Sequence, residues 1–262
     1  MISKNQIKYI RQLELKKYRK REGVFVAEGP KVVGDLMRRY QPVAVYATEE
    51  WIASTSASTG SATVETGSAT VEQRVTEITD EELRRISFLQ HPQQVLALFP
   101  IPIIHYPLST IHSKLSLALD GVQDPGNLGT IIRIADWFGI DTIYCSEDTA
   151  DVYNPKVVQA TMGSIAHVNI IYTDLLKLFD SLPPSYPVYG TLLDGEDIYQ
   201  QTLSNEGIIV MGNEGNGISA PIRKLITHKL LIPNFNQGST TAESLNVAIA
   251  TAITCSEFRR RT

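Results

Sequence analysis

From residue 114 to the C-terminus, short apolar runs alternate with amphipathic stretches, and few architectures accept that order. The strand candidates are 115–119, 142–145, 167–171, 188–192, 208–211 and 230–232. Helical stretches near 128–138, 155–162, 174–181, 219–226 and 243–259 separate them. Short apolar strands alternating with helices belong in a parallel sheet covered on both faces. The expectation is an α/β fold with a mostly parallel C-terminal sheet. Ligands of such sheets gather at the carboxyl ends of the strands, so the loops there are where chemistry is sought.

The first hundred residues read as a separate, smaller α/β unit. Ile7, Ile10 and Leu13 put one apolar face on an opening helix, which is expected to end near the basic run Lys16 to Arg21. A strand at 24–27 runs into the turn Glu28-Gly29-Pro30 and a helix to about residue 39. Further strands are expected at 42–47 and 94–99, with a helix capped by Thr79 between them. Residues 54–72 hold the heptad TGSATVE twice in tandem, at 59–65 and 66–72. That span is small and polar, so a flexible loop without a function of its own is expected. Pro100, Pro102 and Pro107 then punctuate a linker. The division expected is an N-terminal domain 1–105, a linker 106–113 and a C-terminal domain 114–262.

Several classes are excluded early. No apolar run reaches the ~18 residues of a membrane helix, and the basic N-terminus lacks the apolar centre of a secretory signal. Two cysteines, Cys145 and Cys255, support neither a disulfide framework nor a zinc site. A cytoplasmic protein without a metal is the reading that remains. The net charge of −4 hides an asymmetry. Residues 1–22 carry eight cations against Glu14 and Glu22, so the other 240 residues sum to −10. A basic arm on an acidic body points to a polyanion gripped locally, or to a solvated helix face.

Three loops carry the chemical signal. After the strand at 115–119 come Asp120, Gly121 and Asp124-Pro125-Gly126-Asn127, with Asn127 able to cap the following helix and Arg133 off its buried stripe. After 208–211 come Gly212-Asn213-Glu214-Gly215-Asn216-Gly217, which is not the GxGxxG of a dinucleotide fold. After 230–232, Ser244 and Asn246 cluster at the start of the last helix, where unpaired N–H groups favour negative or polar ligands.

Together the strings LDGVQDPGNLGTIIRIADWFG, IVMGNEGNGIS and IPNFNQGSTTAESLNVAIATAI resemble the three motifs of the SpoU (TrmH-type) RNA 2′-O-ribose methyltransferases, in the SPOUT superfamily. The stretch ATMGSIAHVNI is similar to the family's intermediate segment, and the N-terminal unit resembles a ribosomal-protein-type substrate-binding domain. The resemblance implies a deep trefoil knot and S-adenosylmethionine as methyl donor. It places Gly212, Ile232 and Leu245 along the cofactor through their backbones, with Thr191 beside them. It assigns Asn127, Arg133, Glu214, Ser244 and Asn246 to catalysis and RNA positioning. A bulkier residue at Gly212 is then expected to block the cofactor and leave the fold intact. The ten residues from Asn234 to Glu243 are more than the family pattern holds. RNA is the implied partner, ribosomal RNA ahead of transfer RNA. A last helix apolar nearly all round implies a homodimer. Two other readings are a non-catalytic RNA-binding relative and a nucleotide-dependent oxidoreductase; intact polar motifs oppose the first, and a missing fingerprint the second.

Overall fold

The computed structural model describes residues 1–58, 75–102, 114–236 and 243–260. The linker, both copies of the heptad and most of the long loop after Pro233 lie outside them. The chain forms two compact units, Met1–Ile103 with Tyr153–Ala166, and Ile104–Val152 with His167–Thr262.

The first unit opens with α1 (Lys4–Gln12), started by a capping box in which Ser3 and Gln6 satisfy each other's backbone N–H groups. The expected single basic-ended helix is two helices. The chain turns at Leu13 to Leu15 and begins again as α2 (Lys16–Glu22), stopped by Gly23 at φ +65°. Then follow β1 (Val24–Glu28), α3 (Pro30–Met37), β2 (Ala44–Ala47) and α4 (Glu49–Ser58). Residues 54–58 are therefore helical, which the polar composition hid. After them come β3 (Val75–Glu77), α5 (Asp80–Ile86), capped by Thr79 as expected, and β4 (Val95–Pro100). The sheet order is β1-β4-β2-β3, antiparallel except for β2 beside β3. Ile10, Leu13, Val26, Leu83 and Leu96 lie in the core between this sheet and α1 and α5.

The second unit holds β5 (Leu115–Asp120), α6 (Pro125–Trp137), β6 (Thr142–Cys145) and, past the excursion to the first unit, β7 (Asn169–Tyr172). The excursion carries α7 (Pro155–Ala160). The second unit continues with α8 (Leu175–Asp180), β8 (Val188–Asp197), β9 (Gly207–Gly212), α9 (Ala220–Arg223), β10 (His228–Leu231) and α10 (Val247–Arg260). The strand order is β10-β8-β9-β5-β6-β7, and every pair is parallel, as the apolar runs imply. From β5 the chain steps outward to β6 and β7, then crosses to β8 on the other side. The switch point therefore lies between β5 and β9, and a crevice forms beyond their carboxyl ends.

Candidate active site

The loops after β5 and β9 meet at that switch point. Asp124 caps α6, its carboxylate accepting from the Asn127 amide at 2.8 Å, so the expected cap Asn127 lies inside the first turn instead. That frees the Asn127 side chain. Its Nδ2 donates to Glu214 at 3.0 Å, and its Oδ1 accepts from Asn246 Nδ2 at 2.9 Å. Asn246 in turn caps α10, accepting from Ala248 at 2.9 Å and Ile249 at 3.3 Å. One chain of bonds thus ties together all three loops singled out in the sequence.

Glu214 also accepts from the backbone of Gln123 at 3.1 Å and Asp124 at 3.0 Å. Partial burial pushes its carboxyl up, but the bonds from Asn127, Gln123 and Asp124 outweigh it and hold it below the usual carboxylate range. Its lone pairs are occupied by three donors. A carboxylate so engaged is a weak proton acceptor and a strong clip.

The glycine loop folds back on itself. Asn213 and Gly217 exchange backbone bonds at 2.9 Å, and Asn213 Oδ1 accepts from Gly215 and Asn216, both at 3.0 Å. Gly217 takes φ +68°, which glycine adopts without penalty. A Cβ on Gly212 would run into the Gly217 carbonyl group and the Ile218 nitrogen. The expectation that a larger residue at Gly212 leaves the fold intact is therefore corrected, because the loop's own backbone fills that space. Two anchors were hidden in the sequence. Asn213 Nδ2 donates to Gly121 O at 2.7 Å, and Asp120 accepts from Ser219 N at 2.7 Å. Both side chains have the look of ordinary turn residues; only the pairing of β5 with β9 brings them together.

Arg133 is exposed on α6 and, among the described residues, makes no hydrogen bond or ion pair. Ser244 and Leu245 are exposed and precede α10, which begins at Val247 rather than at 243. Gly212 ends β9 and Ile232 follows β10, whereas Thr191 lies inside β8, which runs on to Asp197 instead of ending at 192 as expected. Pairing of β8 with β9 ends at Gly190 and Val210, and pairing of β8 with β10 jumps from Gly190 to Glu196. Backbone groups of Thr191, Met211 and Gly212 therefore face a gap in the ladder on the β8–β9 side. That is the kind of backbone cradle a polar cofactor fills without charged side chains. Thr191 Oγ1 lies 3.4 Å from Val210 O and 3.5 Å from Met211 S at its edge. Among the described residues no group of three His, Cys, Asp or Glu is placed to hold a metal ion.

Comparison with known proteins gives the arrangement a context. Residues 114–256 match the SpoU rRNA Methylase family, and residues 4–97 match the MRM3-like substrate binding domain. The chain is 32% identical over 255 residues to the 23S rRNA (guanosine(2553)-2′-O)-methyltransferase RlmP of Bacillus subtilis, covering 96% of this chain and 95% of that one. A solved structure from Porphyromonas gingivalis, assigned to the TrmH family of RNA methyltransferases, is 41% identical with a TM-score of 0.84 and covers 100% of both chains. The AdoMet-bound rRNA methyltransferase from Sinorhizobium meliloti is 30% identical, with a TM-score of 0.82 over 100% of this chain and 97% of that one.

Proposed function

This chain belongs to the SpoU rRNA methylase family, and from that premise we propose that it methylates a ribose 2′-hydroxyl of ribosomal RNA with S-adenosylmethionine. The observation that carries the reading is the bond chain Glu214–Asn127–Asn246, which locks three loops around one crevice. The cofactor supplies a methyl group already activated on a sulfonium. What the protein must add is to hold a hydroxyl in line with that methyl while its proton leaves. Backbone groups of Thr191, Gly212, Ile232 and Leu245 would hold the cofactor.

Arg133 faces the RNA in this reading. A guanidinium presents a planar fork of donors and no acceptor, so it serves as a bidentate clamp on a phosphate rather than as a base. Glu214 and Asn127 act through structure, keeping the α6 and glycine loops in register. Asn246 sets the first turn of α10, and Ser244 lies two residues before it, where a hydroxyl can meet the ribose. The knot implied by the family is our account of how the chain beyond β10 returns to pack α10 on α6.

We also propose a homodimer in the cytoplasm. Trp137 on α6 is 85% exposed and Ile249 on α10 is 52% exposed, and the two helices pack side by side. A second copy packed along the length of these two helices, and offering the same face in return, would bury both. No helix among the described residues is long and apolar enough to cross a membrane.

Calorimetry with S-adenosylmethionine, followed by mapping of 2′-O-methyl groups on 23S rRNA transcripts, tests the reading. Cofactor binding with one new methylated ribose is expected. Binding without methylation of any RNA would leave a non-catalytic relative.

A further inference from the structure

Helix α2 carries cations that the methyl-transfer site does not use. Lys16, Lys17, Lys20 and Arg21 are exposed. Arg19 is turned to another use. It is 2% exposed, and its Nη1 donates to Leu13 O at 2.7 Å and Glu14 O at 2.6 Å, closing the turn between α1 and α2. The exposed four form two rows, Lys16 with Lys20 and Lys17 with Arg21, each four residues apart. Residues at that spacing have Cβ atoms about 5–6 Å apart, so like charges on them repel. The half-buried Tyr18 ring sits under Lys17 Nζ at 5.0 Å and Arg21 Cζ at 4.9 Å, which holds both heads on the surface. Glu22 is ion-paired with Arg21 at 2.7 Å, and Glu14 is the other acidic residue among the first 22.

The unit's other pole has the opposite sign. Six carboxylates, Glu49, Glu50, Glu77, Asp80, Glu81 and Glu82, line a recess together with Met1 and a single side-chain cation, Arg85. From there α1 runs alongside α5. Ile2 N donates to Glu82 near the start of α5, and Arg11 bonds Ser87 O just past its end. The length of α1, about 13 Å at 1.5 Å per residue, therefore stands between the acidic recess and the basic helix. A polyanion is drawn to one end of this unit and repelled from the other.

We propose that the exposed face of α2 is the phosphate grip of the N-terminal unit, holding the sugar–phosphate backbone of the RNA without reading its bases. The proposal rests on the RNA-methyltransferase reading above. Contacts to phosphates position a nucleic acid, whereas contacts to bases specify it, so the face contributes affinity to any structured RNA.

The test uses the full chain with Lys16, Lys17, Lys20 and Arg21 all changed to Gln. Binding is measured across a salt series to a 23S rRNA transcript and to an unrelated structured RNA of equal length. Affinity for both is expected to fall at least about tenfold, and the slope of log K against log salt to flatten by about 3, at ~0.7–0.9 for each phosphate no longer gripped. S-adenosylmethionine affinity and a cooperative melting transition should be retained, since all four side chains are exposed. Arg19→Met is expected to lower the melting temperature and leave the slope of the folded fraction unchanged. An unchanged slope in the fourfold variant would overturn the proposal, as would a loss confined to the 23S transcript. Retained RNA binding with lost binding to poly-glutamate would assign the face to an acidic protein instead. A wild-type chain that binds RNA with the steep slope but methylates nothing would overturn the enzymatic reading and leave the grip standing.

Discussion

The Glu214 carboxylate and the Asn127 side-chain amide, 87 positions apart in the chain, meet at 3.0 Å. Glu214 adds two backbone donors from the loop that Asn127 follows, so a single side chain fixes the glycine loop against the start of α6. In Glu214→Gln only Oε1 can accept, and at least one of three donors loses its partner. We expect a loss of about 1 kcal/mol, or ~2–4 °C in melting temperature, near neutral pH. The sign with pH follows from the lowered carboxyl. Its contribution is complete above the ordinary value of ~4.3 and is lost as pH falls through the lower folded value. Melting curves of both proteins from about pH 7 down to about pH 3 should therefore converge at the acid end. A constant difference over that range would mean the charge is irrelevant.

Gly212→Ala should do more than shade a cofactor. The added Cβ meets the Gly217–Ile218 backbone, so the 213–217 fold-back must open. Hydrogen exchange at Gly217 N–H, now bonded to Asn213 O at 2.9 Å, should speed up alongside the loss of S-adenosylmethionine binding. Slow exchange with cofactor binding lost would restore the simpler view that Gly212 acts only on the ligand.

Arg133→Ala removes a side chain with no partner among the described residues, so stability should stay within about 0.5 kcal/mol. Methyl transfer should fall well beyond tenfold, with cofactor affinity retained. Activity surviving within about tenfold, under ~1.4 kcal/mol of barrier, would take Arg133 out of the reaction.

Ile249→Glu places a charge on the exposed apolar face of α10. Sedimentation should shift from a species near twice the 29.0 kDa chain mass to a monomer, with activity lost in parallel. A wild-type monomer that methylates RNA would sink the dimer.

The parallel sheet was legible because its central strands are buried along their whole length. All six residues of β9 are buried, and five of six in β5, so β9 reads as one apolar run and β5 as a run broken only by Ser116 before its end at Asp120. Two of the three chemical loops were legible for a related reason, since they follow such strands directly; the third follows the edge strand β10, whose first two residues are exposed. Less visible was anything decided by long-range partners. The Asn127 side chain turns away from capping because Asp124 takes that role and because Asn246, 119 positions on, needs its oxygen. Arg19 reads as one more cation of a basic run; only the fold shows it turned inward to close a corner. Helix α10 starts four residues later than its apolar pattern suggests, because Asn246 accepts from its first N–H groups and ends the preceding loop.

Between β6 and β7 the chain leaves the methylase sheet and lends Tyr153–Ala166 to the N-terminal unit. Tyr153 stacks on Phe25 at 4.9 Å, Gly163 leaves no room for a Cβ beside Asp35, and Arg39 bonds Ala166 O. Expressed without residues 1–103, the methylase half would expose Val157, Val158 and Ile165, and we expect it to aggregate. The consequence reaches beyond truncation. Exchanging substrate units between relatives by one crossover near residue 104 would join a foreign receptor to a native graft. A working hybrid needs a second donor fragment spliced in at 153–166, so this protein's recognition module is inherited as two separate stretches of sequence rather than one.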